Sequence, residues 1–235
     1  MKKLLTWLII LFVIKSGTAQ FASNRDSRAR TLFGRDLFFY KLYNVPDRAD
    51  SLKSGLDGYF SLVNDVLTFY KTNENYEATF ELTVVVYRDK ELVAQEILRD
   101  TITVQTFEQT NSRLSKHRYS TYFSLDPGKY KVLLQLVDGK GNDLLEEETD
   151  IKLEDFTGNK LQISDIIFAD YADCSQNPPV YQPNLRNSFR DMNSDFILFL
   201  NLVPPGQGDS LNIQSVVTHA NGEEVMDMRA GYSLD

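Results

Sequence analysis

Cysteine, histidine and tryptophan are nearly missing from this chain of 235 residues, which has one Cys, two His and one Trp. Cys174 has no partner in its own chain, so a framework of internal disulfides is excluded. Together with His117 and His219 it offers little material for a zinc site or for nucleophilic catalysis. Positive charge is in deficit: 25 Lys and Arg stand against 33 Asp and Glu, a net charge of −8. Long-range electrostatics therefore disfavours nucleic acid and anionic membrane as partners. Also missing are the Gly-x-Ser-x-Gly elbow, His-Glu-x-x-His, the Gly-x-x-x-x-Gly-Lys phosphate loop and the Asp-x-Asp-x-Asp-Gly calcium loop. No apolar run reaches the roughly 20 residues that span a bilayer as a helix. No segment of useful length carries apolar residues at a 3.6-residue period.

What is present begins with an address. Met1-Lys2-Lys3 is basic, Leu4 to Ile14 is an almost unbroken apolar run, and Lys15-Ser16-Gly17-Thr18-Ala19 turns polar and small. This is the pattern of a secretory signal peptide over residues 1–19, with Gly17 and Ala19 before a cleavage at Gln20. No Cys follows the run, so no lipid anchor is expected, and the mature protein belongs in the periplasm or at the cell surface. Cleavage removes three lysines and no acid, leaving 22 basic residues against 33 acidic ones, a charge of −11. It also removes Trp7, the only Trp, and with it any indole platform for sugars, although 12 Tyr and 14 of the 15 Phe leave other aromatic faces. Residues 20–34 read as a flexible leader carrying the one basic stretch, Arg25, Arg28, Arg30 and, just beyond it, Arg35.

Apolar residues make up 42% of the chain and charged residues 25%, a globular composition that excludes disorder throughout. Alternation then sets the fold class. Phe80, Leu82, Val84 and Val86 recur at period two, as do Tyr130, Val132, Leu134 and Leu136, and Thr121, Phe123 and Leu125. Each set marks the buried face of a strand. Further strands are expected at about 36–43, 56–63, 65–71, 91–98, 101–107 and 144–153. Asn73-Glu74-Asn75, Arg88-Asp89-Lys90 and the run Asp138 to Asn142 separate them as hairpin turns. Residues 35–155 are thus expected to form an antiparallel β-sandwich, in which two sheets bury their apolar faces against each other. The turn Asp126-Pro127-Gly128-Lys129-Tyr130 has the elements of an immunoglobulin-type corner. Pro127 presets φ, Gly128 makes the turn and the Tyr130 hydroxyl can reach back to the main chain; a plain type II turn with a core tyrosine is the alternative.

Glu154 to Lys160 is a polar connection, and a second unit is expected over 161–235. Leu161 to Ala169 reads as a strand, Pro178, Pro179 and Pro183 argue against regular structure, and Asp195 to Val203 is apolar on both faces and so expected to be central. Leu211 to His219 and Glu223 to Arg229 flank Ala220-Asn221-Gly222, where Asn221 and Gly222 give a hairpin turn. About four strands are too few for a sandwich of roughly seven. The second unit therefore reads as incomplete, either because the sequence is the front of a longer chain or because a partner completes the sheet. Fold class is all-β: tandem immunoglobulin-like sandwich modules.

No catalytic, cofactor or metal residue is assigned. Asp165, Asp170 and Asp173 follow no calcium-loop spacing and read as a solvated face. Glu146, Glu147, Glu148 and Asp150 read as an exposed strand edge that resists pairing with another sheet. His117 and His219 read as surface residues, and a Cys174–His219 dyad would lack an orienting third group.

Taken in order, the secretory signal, the strand Leu37 to Tyr43, the run Tyr76 to Val86, Phe107 to Arg113, the turn Leu125 to Tyr130 and Leu161-Gln162-Ile163-Ser164-Asp165-Ile166 resemble the N-terminal part of GWxTD domain proteins of Bacteroidota-like bacteria. The resemblance covers nearly all of the mature chain and implies an extracytoplasmic protein with no catalytic residue to carry across. The Gly-Trp-x-Thr-Asp motif, which lies further along in that family, does not occur in these residues. The expected function is non-enzymatic: protein–protein interaction or envelope assembly, with another envelope protein as partner through strand addition to the second unit. Carbohydrate binding on Tyr and Phe faces, and the non-catalytic front of a longer enzyme, are the alternatives. No cofactor is expected.

Overall fold

The computed structural model describes residues 12–14, 37–158, 161–173, 175, 180–186, 196–203, 210–218 and 224–233. The chain divides between Asp155 and Phe156 into two units. Every sheet among the described residues is antiparallel, and helix is confined to Asn64–Val66, a 3-10 turn, and Phe107–Thr110, one α-helical turn. Phe12–Ile14 (β1) belongs to the second unit.

The first unit contains Phe38–Pro46 (β2), Ser54–Val63 (β3), Tyr70–Lys71 (β4), Tyr76–Arg88 (β5), Glu91–Val104 (β6), Lys116–Leu125 (β7), Gly128–Asp138 (β8) and Asp143–Leu153 (β9). One sheet runs β2-β3-β7. In the other, β5 lies between β6 and β8, β9 borders β8, and β4 pairs with the start of β5. The chain changes sheet between β3 and β5, between β6 and β7, and again between β7 and β8. This is the strand order of an immunoglobulin-like sandwich in which the fourth main strand pairs with the third.

Period-two alternation builds the core. Phe80, Leu82, Val84 and Val86 of β5 are buried, as are Tyr130, Val132, Leu134 and Leu136 of β8 and Thr121, Phe123 and Leu125 of β7. Against them stand Leu56, Phe60 and Leu62 of β3, all fully buried in the same cluster. The Phe80 and Tyr119 rings meet edge to face at 5.5 Å across the two sheets. Each such aliphatic or aromatic side chain contributes about 1.5–3 kcal/mol relative to exposure.

Local chemistry fixes the connections. Asp89 and Lys90 both have positive φ, 50° and 73°, the two-residue mirror-type turn whose twist matches a hairpin. The Asp138 carboxylate accepts the backbone N–H of Lys140 and of Asn142, each at 2.9 Å, and the Asn142 side-chain amide at 2.8 Å, while Gly141 takes φ 79°.

Three strand assignments change. The segments expected at 91–98 and 101–107 are one strand of 14 residues, because charged Arg99 and Asp100 do not interrupt an edge strand. Arg99 pairs with Glu81 across β5 and Asp100 accepts the Tyr119 hydroxyl at 2.6 Å. Residues 107–110 are instead a helical turn, with Gln109 Oε1 accepting the N–H groups of Gln105 and Thr106, the reach-back half of a capping box. Residues 65–71 give only the 3-10 turn and β4.

The second unit contains Gln162–Ile163 (β10), Ile167–Asp173 (β11), Val180–Pro183 (β12), Phe196–Phe199 (β13), Leu202–Val203 (β14), Ser210–Thr218 (β15) and Glu224–Ser233 (β16). Its sheets are β1-β13-β11-β12, β10-β14 and β15-β16. The strands expected over 161–169 and 195–203 are each broken, and at matching places. Ser164 N–H donates to the Asn201 carbonyl at 2.9 Å while Asn201 N–H donates to Ser164 Oγ at 2.8 Å, so a side chain replaces a rung of the ladder between β10-β14 and β11-β13. Pro183 ends a strand rather than excluding one. It sits on the outer strand β12, where no N–H is needed on the open side.

Candidate interaction edge

The corner residues lie in the first unit. Tyr130, 4% exposed near the start of β8, donates its hydroxyl to the Asp126 carbonyl at 2.6 Å. Gly128 has φ 154°, and a Cβ there would stand 3.3 Å from the Arg88 guanidinium, which itself lies over the Tyr130 ring. Pro127 precedes it in the turn. These contacts hold the β7-to-β8 crossing. Asn221 and Gly222, like His219, Cys174 and the arginines 25, 28, 30 and 35, lie outside the described residues. The strands flanking Asn221 and Gly222, β15 and β16, do pair as a hairpin.

The acidic residues are structural in three different ways. Glu146, Glu148 and Asp150 point outward from β9, with Glu148 paired to Lys131. Glu147 differs from the exposed edge expected of the run, since alternation turns it inward, 7% exposed, where it accepts the Tyr40 hydroxyl at 3.3 Å from the opposite sheet. Asp170 and Asp173 stand on β11 and Asp165 in the loop before it. Among the described residues no three His, Cys, Asp or Glu side chains converge as metal ligands.

A polar strap follows β2. Asp47 Oδ1 accepts the N–H of Ala49 at 2.9 Å and of Asp50 at 2.6 Å, and Oδ2 accepts the Tyr122 hydroxyl at 2.7 Å. Burial pushes the Asp47 carboxyl up, but these hydrogen bonds outweigh it and hold it at about 2. Arg48 covers the Tyr122 ring at 4.2 Å and pairs with Asp57 at 2.7 Å. Burial raises the Asp57 carboxyl, the Arg48 charge only partly offsetting it. Each of these carboxylates is bonded to a neighbour, so the strap clips β2 to β3 and β7. The Asx turn in Pro46-Asp47-Arg48-Ala49-Asp50 was available from sequence and escaped the alternation search.

His117 is half-buried rather than fully on the surface. Its Nε2 lies 2.7 Å from Asn64 Oδ1, and the Asn64 amide nitrogen donates to the Gln109 carbonyl at 2.7 Å. Oδ1 is therefore the acceptor and Nε2 carries the proton. Burial lowers the imidazole below its ordinary value, the Asp100 charge opposing it weakly.

The second unit carries an uncharged apolar strand, β13. One side of β13 is fixed by β11, with Phe199 opposite Ile167, Leu198 opposite Phe168 and Ile197 opposite Ala169. Ile167, Ala169 and Phe199 are buried, and the Phe199 ring stacks on Tyr181 of β12 at 4.5 Å. Among the described residues the other side of β13 is covered only by β1, with Phe12 opposite Leu198, Val13 opposite Ile197 and Ile14 opposite Phe196. Sequence reasoning took residues 12–14 solely as part of a targeting run. Their aromatic and β-branched composition was the strand signal. No protein-family model matches the chain and no curated protein sequence matches it.

Proposed function

We propose that the protein is a non-catalytic, extracytoplasmic β-sandwich protein that binds another envelope protein, and that the sheet edge of the second unit is its docking place. The observation that carries this reading is β13. It is a strand of Phe, Ile, Leu and Phe with no charge and no proline, and among the described residues its outer side is met only by residues of the leading apolar run. Soluble proteins blunt such edges, and one left bare is a template for strand addition. The secretory pattern of residues 1–19 and the motif order shared with N-terminal parts of GWxTD domain proteins support the same address. No helix among the described residues is long and apolar enough to cross a membrane.

The test is purification of the mature protein from its native envelope in high salt. A stoichiometric protein partner that stays bound, and is lost on Ile197→Lys with the first unit still folded, is the expected result. Retention on polysaccharide with no protein partner would replace this reading with carbohydrate binding.

A further inference from the structure

We propose that the apolar leader is a placeholder: β1 occupies the β13 edge in the uncleaved chain, and its removal hands that edge to an apolar strand of another chain. The proposal rests on the reading of a secreted, protein-binding module and adds to it the edge, the trigger and the chemistry of the donor.

The two borders of the four-stranded sheet are treated differently. The β12 border ends in Pro183, which has no N–H to offer, the usual device against unwanted pairing. The β13 border has no such device over Phe196–Phe199 and instead meets Phe12, Val13 and Ile14 in antiparallel register. A backbone edge inside an apolar sheet must find hydrogen-bond partners or water, and β13 is held from its other side by β11 and by the Phe199–Tyr181 stack, so it cannot turn its edge away. Pairing by only three residues is short, and it persists because the leader is covalently part of the chain and so present at high effective concentration. Cleavage after Ala19 abolishes that advantage at once.

The leader also specifies what replaces it. Leu8 to Ile14 is uncharged and rich in β-branched and aromatic side chains, the composition that fits a pleated, half-buried position. The donor is accordingly an extended, uncharged segment of the same character, running antiparallel to β13 and supplied by a partner protein. A charged residue opposite Ile197 would be set among apolar neighbours with no counter-charge on β13.

The experiment compares the 20–235 chain with a full chain whose cleavage is blocked by Ala19→Arg, following amide hydrogen exchange at Ile197, Leu198 and Phe199. The probe is a synthetic peptide of residues 8–14 flanked by lysines for solubility, and its control is the same peptide with Val13→Asp. Exchange is expected to be roughly tenfold or more faster in the cleaved chain, restored by the probe and not by the control. Equal protection before and after cleavage, or equal rescue by both peptides, overturns the placeholder, whatever protein the first unit binds. Opening of the edge with rescue by the probe, in a protein that holds only polysaccharide in its native envelope, overturns the proposed function and the partner strand with it.

Discussion

Replacing Asp47 by Asn keeps the shape of the side chain and removes its charge, which isolates what the strap after β2 contributes. The folded carboxyl lies at about 2 against an ordinary 3.8. At 1.36 kcal/mol per unit this gives a ceiling of about 2.4 kcal/mol, and solvent screening at the margin of the strap brings the expected figure to about 1–2 kcal/mol. Because the folded value is depressed, the unfolded chain binds the proton first. The stabilisation is complete above about pH 4 and is lost as the pH falls toward 2. The assay is urea unfolding followed through the amide resonances of Leu56 and Phe60, which are fully buried in the first unit and report on it alone. Asp47→Asn should be less stable by about 1–2 kcal/mol near neutral pH, with the gap mostly closed by about pH 2 and gone by about pH 1. A gap that stays constant over this range, or a directly titrated Asp47 carboxyl with its midpoint at the ordinary value, would refute the account of the strap.

Tyr130→Phe removes the 2.6 Å bond to the Asp126 carbonyl and should cost about 1 kcal/mol, read as a fall of a few degrees in the melting of the first unit. Gly55→Ala would place a Cβ 2.8 Å from both the Tyr122 ring and Val45 Cγ2, costing about 1–3 kcal/mol, and by displacing Tyr122 it should raise the titration midpoint of Asp47. The lowered His117 imidazole makes the folded state lose stability as the pH falls through about 6.5, since the unfolded chain takes up the proton first. Thermal melts between about pH 7.5 and pH 5.5 should show this slope, and His117→Gln should flatten it.

The first sandwich was readable because its central strands are buried on one face only. Tyr130 to Leu136 alternate throughout and Phe80 to Val86 do so apart from Val85, which is also buried, so period and face follow from sequence. What escaped was whatever depends on a polar side chain bonding to a group distant in sequence. Ser164 and Asn201 look unremarkable apart, yet their mutual bonds break two strands at once. Glu147 reads as one more surface acid until alternation is applied strictly through the run. Arg99-Asp100 suggested a break because charges are rare in interior strands, but β6 is an edge and both charges find partners on neighbouring strands. The β13 edge was legible only in part. Its apolar character on both faces was evident, whereas its cover came from a segment whose targeting pattern masked its β-forming composition.

The end of β9 is tied to the opposite sheet. Ser54 Oγ donates to the Glu154 carbonyl at 2.5 Å, and Glu154 N–H donates to Asn44 Oδ1 at 3.2 Å. A pull on the chain beyond Asp155 would thus not peel β9 from β8 one rung at a time. The load passes first into β2 and β3 through Asn44 and Ser54, so the two sheets must shear together before the border strand can unzip. In a molecule anchored through one unit and pulled by the other, this clasp makes the first sandwich a mechanical stop.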